Sequence, residues 1–316
     1  MKTGKISSED NDCASSLRDT LSEIFDLDQP NQIVLTPGIL LGLNILLGGL
    51  SVNSIVVSRY EYYDDYHFPN SQIHSFDFEN VIEHVRQYSP DVAIVSLVTW
   101  RGKPLPLNNV FRQIRAALGK HAPLLIADCA HAGAIGFPSM NEIEADIICG
   151  DICKWVTPSD WQRNLAFLWF RDRILWEKAA QTFRPYYLAT SQERTHLLAR
   201  WIDPYEVKTV VSWLKERGLD RSRLLQRSQH NMDLARQLSR QLGLPDPPES
   251  SILWIDDEFN SNILLDELEQ NGLAWKPPDG GLRILCRAEE QPALKLIANL
   301  DQENVDDFPD PPVGCL

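Results

Sequence analysis

Positive charge is scarce in this chain: 30 Lys and Arg stand against 44 Asp and Glu, a formal charge of −14. Binding to nucleic acid needs clustered Lys and Arg against the phosphates, so a nucleic-acid partner is not expected, and the acidic surplus serves solubility. Long apolar runs are also missing. The longest, over 39–50, is broken by Asn44 and by glycines, and it is too short for a bilayer, which takes about 20 residues. The opening residues 1–10 carry no apolar signal core, so no membrane partner and a cytoplasmic location are expected. Cysteine is sparse. Of Cys13, Cys129, Cys149, Cys153, Cys286 and Cys315, only Cys149 and Cys153 are closely spaced, and no second pair accompanies them. No metal site is expected, and the thiols should be reduced.

What is present is enough for a large core: 316 residues, 43% of them hydrophobic and 23% charged, with no internal repeat. Apolar periodicity predicts helices over 15–25, 39–47, 78–87 and 109–118. Between them it predicts strands over 32–35, 54–57, 92–96, 124–127 and 146–149, an alternation that implies a parallel sheet flanked by helices. Helices are predicted over 205–215 and 221–242, the second long enough to connect two lobes. Strands over 251–255 and 282–286 with helices over 260–270 and 292–300 would complete a small lobe, and 307–312 reads as a frayed end. The expected fold class is therefore α/β, a mainly parallel sheet plus a small C-terminal α+β lobe. The expected division is a large domain over 1–217, with 1–30 a short N-terminal segment, and a small domain over 218–316.

Two residues concentrate the chemistry. Asp128 closes the apolar run Leu124-Leu125-Ile126-Ala127, and Lys154 follows the strand Asp146-Ile147-Ile148-Cys149. Both fall where parallel-sheet folds place ligand groups, beyond the carboxyl ends of strands. A lysine amine in an apolar setting loses its proton more readily and can form an imine with an aldehyde, while a carboxylate can hold a pyridinium nitrogen. Together they point to pyridoxal phosphate. Taken singly, Asp128 could be a turn residue and Lys154 a solvated loop lysine.

The stretch Asp128-Cys129-Ala130-His131-Ala132-Gly133, and the later one from Asp146 through Gly150 to Lys154-Trp155, resemble the motifs of the class V aminotransferase family. These are fold type I pyridoxal phosphate enzymes. The run Phe167-Leu168-Trp169-Phe170 is similar to the strand that follows the lysine in the isopenicillin N epimerase-like branch. The resemblance implies a homodimer acting on a small-molecule substrate, an α-amino acid, with Lys154 carrying the cofactor and moving the Cα proton. It also places Thr36, Gly38 and Ile39 at the cofactor phosphate through helix-terminal amides, Tyr62 stacked on the ring with Tyr63 as the second choice, and Thr99 with His131 near the ring hydroxyl. Asp151 falls at the phosphate, and Arg283, within Gly281-Leu282-Arg283-Ile284, at the substrate carboxylate, where a guanidinium fork fits two oxygens. Each has a plainer alternative: an aromatic cluster under a loop for the tyrosines, a structural histidine, a helix start at Gly38, a surface salt bridge for Arg283. Between Cys153 and Cys286 there is no cysteine, which argues against desulfurase chemistry.

Departures from the family pattern cluster at the phosphate. Asp151 stands for Ser or Asn, Cys153 for His, Leu40 for a hydroxyl residue, Asn164 for Gly, and Trp201-Ile202 for a Gly-Thr contributed by a partner subunit. An added carboxylate repels a phosphate by about 1 kcal/mol at about 4 Å in water, and Arg163, Arg194 and Arg200 are the compensating candidates. The arm preceding Thr36 is about thirty residues long, short for the family. Two functions follow: a pyridoxal phosphate enzyme of aminotransferase, lyase or epimerase type, or a catalytically degenerate scaffold serving as a structural or regulatory subunit.

Overall fold

Apolar runs too short for helices form the centre of a sheet. The computed structural model describes residues 8–58, 68, 71–76, 80–156, 165–183, 204–244, 248–256, 274–275 and 281–287. The first part of the chain forms α1 (Ser8–Phe25), β1 (Ile33–Thr36), α2 (Ile39–Gly49), β2 (Ser54–Ser58), β3 (Gln72–Phe76) and α3 (Val81–Tyr88). It continues with β4 (Val92–Ser96), α4 (Leu107–Leu118), β5 (Leu124–Asp128), β6 (Ile147–Asp151), β7 (Ala166–Phe170) and α5 (Arg173–Phe183). The seven strands lie in the order β1-β7-β6-β5-β4-β2-β3. All five residues of β4 and of β7 are buried, the signature of strands covered on both faces.

From β3 to β6 every neighbouring pair is parallel. β7 returns antiparallel to β6, and β1 is antiparallel to β7, so the sheet is mixed and mainly parallel, as the expected fold class has it. Two reversals leave β1 pointing the same way as β6. The carboxyl ends of β1, β2, β4, β5 and β6 therefore share one edge of the sheet.

Polar contacts at the opposite edge hold β5 and β6 in register. Asp146 accepts the Leu125 N–H at 2.8 Å and pairs with Arg115 at 2.8 Å. Arg171 donates to the carbonyls of Asn141, Ile143 and Ala145 while lying over the Trp169 ring. α1 turns Leu17, Leu21 and Ile24 into the core, a three-to-four-residue spacing that matches one helical face. It begins at Ser8 rather than near residue 15.

The rest of the described chain is α6 (Pro204–Glu216), α7 (Arg221–Gln241), β8 (Ile252–Ile255), β9 (Ala274–Trp275) and β10 (Leu282–Leu285). β8, β10 and β9 form a separate antiparallel sheet in that order. α7 is capped by Asp220, whose carboxylate accepts the Arg223 N–H at 2.8 Å. Along its 21 residues it serves two cores: Leu224 packs with the large sheet, while Leu234, Ala235 and Leu238 pack with Leu253, Ile255, Leu282 and Ile284. The helices expected over 260–270 and 292–300 and the tail over 307–312 lie outside the described residues.

Candidate functional site

β4, β5 and β6, adjacent and parallel, end at Ser96, Asp128 and Asp151. Thr99, His131 and Lys154 each stand three residues past one of these ends, so three short turns bring them to one edge of the sheet. The Thr36 turn joins them, because Thr36 and Asp151 are both register partners of Ala166.

Asp128 is 7% exposed and its Oδ1 accepts the Ala130 N–H at 2.8 Å. The turn after it is tied down by the Cys129 N–H on the Cys149 carbonyl, 2.8 Å. Asp151 organises the lysine turn. Its Oδ1 accepts the N–H groups of Cys153 (2.8 Å) and Lys154 (3.0 Å), and its Oδ2 lies 3.8 Å from Lys154 Nζ. Burial raises the Asp151 carboxyl above its ordinary range, against the pull of Lys154 and the two backbone N–H groups. Cys153 accepts the Leu165 N–H on its sulfur at 3.3 Å and so ties the turn to the residue before β7.

His131 is held between two groups that can only donate. Trp155 Nε1 lies 3.3 Å from its Nδ1, and Arg283 Nη2 lies 3.0 Å from its Nε2. A neutral imidazole offers one acceptor and a protonated one offers none, so one of the two contacts faces a hydrogen with a hydrogen. Protonation is no remedy: burial, then Lys154, Arg283 and Arg287, hold the His131 pKa well below its ordinary value. An oxyanion beside Arg283 and His131 would supply the missing acceptor. Among the described residues, the buried Nε of Arg283 also has no hydrogen-bond partner. Its pKa is pushed down to about 10 by burial and by Arg287.

Thr99 is buried, and its hydroxyl oxygen accepts the Lys103 N–H at 3.1 Å, which leaves the hydroxyl hydrogen able to donate. Thr36 donates from Oγ1 to the Gly38 carbonyl at 3.0 Å. Gly38 starts α2 with φ 137° and no side-chain cap, so the first amides of α2, beginning at Ile39, lack an intrahelical partner and carry the positive end of the helix. A methyl at Gly42 would stand 2.9 Å from Thr36 Cγ2, so glycine there lets the helix sit close on the strand end.

Thus Thr36, Gly38, Ile39, Thr99, Asp128, His131, Asp151, Lys154 and Arg283 gather around one edge. Tyr62, Tyr63, Arg163, Asn164, Arg194, Arg200, Trp201 and Ile202 lie outside the described residues. Three residues join the site that sequence reasoning gave no role. Trp155 packs on Gly133, where a methyl would come within 2.4 Å of its Cβ. Arg287 lies with Cζ 5.5 Å from the centre of the Trp155 ring, and Arg227 donates to the Val156 carbonyl at 3.3 Å. The available signal for Arg287 was its place four residues after Arg283.

The donor set suits pyridoxal phosphate: a buried carboxylate, a lysine, a hydroxyl, an oxyanion-deficient His131–Arg283 pair and an uncapped helix start. The fold is that of the fold type I pyridoxal phosphate-dependent transferases. The cystine C–S lyase C-DES in complex with its product cysteine persulfide superposes with a TM-score of 0.66 at 16% identity, over 92% of this chain and 87% of that one. A NifS-like protein gives 0.68 at 15% identity over 94% and 90%. Ureidoglycine–glyoxylate aminotransferase from Bacillus subtilis gives 0.64 at 16% identity over 92% and 84%. No family model and no curated protein matches the sequence.

Proposed function

We propose that this chain is a pyridoxal phosphate-dependent enzyme of class V aminotransferase type acting on an α-amino acid. The observation that carries the reading is the placement of Asp128 at the end of β5 and of Lys154 three residues past the end of the adjacent parallel β6, with His131 and Arg283 in contact between the large sheet and the small one. Asp128 would hold the ring nitrogen, Thr99 and His131 the ring hydroxyl, and the Thr36–Ile39 turn the phosphate. The cofactor supplies an aldehyde carbon and a ring that withdraws electrons from the bonds at the substrate Cα.

The protein's own groups do the rest. Arg283 binds the substrate carboxylate, which turns one Cα bond toward the reactive side and gives His131 the acceptor that it lacks. The Lys154 amine takes the Cα proton and returns it to the same or another carbon, the step shared by aminotransferases, lyases and epimerases. Asp151 holds the backbone of residues 153 and 154, so the Lys154 side chain works from a fixed turn. A homodimer in the cytoplasm is the assembly and location proposed with this reading.

The charge of Asp151 favours a second reading, a scaffold that no longer holds the cofactor. Absorption spectra of the purified protein with added pyridoxal phosphate separate the two. The enzyme reading expects a visible cofactor band that disappears in Lys154→Ala. No band, or one indifferent to the substitution, would sink it in favour of the scaffold.

A further inference from the structure

Of the two donors that face His131, one is fixed and the other can turn. Trp155 is 4% exposed, and a methyl at Gly133 would stand 2.4 Å from its Cβ and 2.6 Å from its Cγ. Arg287 lies over the indole, and the ring meets His131 edge-on at 80°. Packing therefore sets the direction of the Trp155 N–H. Arg283 reaches the other ring nitrogen from the small sheet, at the end of a long rotatable stem.

The two contacts ask for different tautomers, because indole and guanidinium only donate. With the hydrogen on Nδ1, His131 accepts from Arg283 at Nε2 and turns a hydrogen toward the indole N–H. With the hydrogen on Nε2, it accepts from Trp155 at Nδ1 and turns a hydrogen toward Arg283. The Arg283 contact is the shorter, 3.0 Å against 3.3 Å, and its charge makes it the stronger. Without an oxyanion, then, the hydrogen belongs on Nδ1. A carboxylate reverses the order. Arg283 turns its N–H groups to the better acceptor, Nε2 is released, and the fixed indole takes Nδ1. One proton leaves Nδ1 and one arrives at Nε2, both exchanged with water. The ring stays neutral throughout, as its surroundings of Lys154, Arg283 and Arg287 favour.

We propose that Trp155 is a positioning residue: by donating to His131 Nδ1 it sets the hydrogen on Nε2, so that Arg283 and His131 grip a carboxylate together. His131 then has a single hydrogen to offer. Once the carboxylate takes it, the ring hydroxyl is left to Thr99. That the carboxylate is the substrate's rests on the cofactor reading above, whereas the change of tautomer uses only residues of this chain.

The test is titration of the purified full chain with butyrate, with and without pyridoxal phosphate, read by calorimetry and by nitrogen–proton correlation spectra of protein labelled at the histidine nitrogens. The His131 signals are identified by their loss in His131→Gln. Its hydrogen is expected on Nδ1 in the free chain and on Nε2 at saturation. Trp155→Phe keeps an aromatic ring and removes the N–H, and it should weaken butyrate about fivefold, the range for one hydrogen bond. That loss should vanish in a His131→Ala background, because Trp155 acts through His131, whereas a loss of packing alone would persist there. Butyrate that fails to bind, or that leaves the tautomer unchanged, overturns the proposal in the unmodified chain, whatever the folding of the variants. So does a Trp155→Phe effect that is absent or that survives His131→Ala. The change of tautomer without a Lys154-dependent cofactor band supports the role of Trp155 and defeats the cofactor reading. The band without the change does the reverse.

Discussion

His131 should make the folded chain lose stability as the pH falls below 6.5, the ordinary histidine value. In the folded chain its ring is buried and faces Lys154, Arg283 and Arg287, and these hold its pKa well below that value. In the unfolded chain both burial and cations are gone. Between the two values the unfolded chain binds a proton that the folded chain refuses, so unfolding becomes easier with each step toward acid. One proton contributes up to about 1.4 kcal/mol per pH unit, and the loss ceases only at the depressed folded value. Above 6.5 both states are neutral and the term is flat.

Asp151 acts with the opposite sign. Its folded pKa is raised from 3.8, so on acidification the folded chain takes up that proton first, which offsets part of the His131 loss near the acid end. Comparison with His131→Gln removes this and every other shared titration. Urea unfolding of both proteins, without cofactor, is to be followed by circular dichroism from above 6.5 down to about pH 5. The stability difference between wild type and variant should be constant in the upper part of the range. Toward acid it should shift against the wild type, by about 1 kcal/mol per unit at the steepest. A difference independent of pH would mean that His131 titrates alike in both states, and the account of its burial among cations would be wrong.

Gly133→Ala would drive a methyl to within 2.4 Å of Trp155 Cβ and 2.6 Å of Cγ. It should cost about 1–3 kcal/mol by overpacking, measured as a lower urea midpoint; an unchanged midpoint would show that Trp155 can yield. Asp151→Asn keeps an oxygen to accept the Cys153 and Lys154 N–H groups and removes a negative charge near the proposed phosphate site. Removing about 1 kcal/mol of repulsion should tighten pyridoxal phosphate binding about fivefold in an equilibrium titration, and weaker binding would show that the pairing with Lys154 matters more than the repulsion.

Most of the large sheet was legible because its strands are short, apolar and bounded by turn residues. Val92-Ala93-Ile94-Val95-Ser96 can do little but cross a core, and β4 spans those five residues. β3 escaped notice. Gln72-Ile73-His74-Ser75-Phe76 is an edge strand with only Phe76 buried, so its strand state comes from pairing with β2 rather than from an apolar pattern. α5 was also missed. Of its eleven residues only Ala179 and Phe183 are buried, too sparse a stripe to announce a helix. The direction of β7 was not readable either: Ala166-Phe167-Leu168-Trp169-Phe170 proclaims burial, and burial is the same for a parallel or an antiparallel neighbour.

The site divides along the same line between local and distant information. Asp128 and Lys154 stand out because each ends its own strand, and strand ends are local. Trp155, Arg227 and Arg287 do not, because an arginine is ordinarily a surface residue and their burial depends on Gly133 admitting the indole and on the small sheet turning one face to the lysine turn. Asp151 lies between these cases. In the sequence it is a charge where the resemblance expects a phosphate; in the structure its Oδ1 accepts two backbone N–H groups of the turn that carries Lys154. Serine or asparagine would also have a side-chain oxygen to accept them. The carboxylate thus has a place in the fold that its charge alone does not announce: it accepts two backbone N–H groups of one turn.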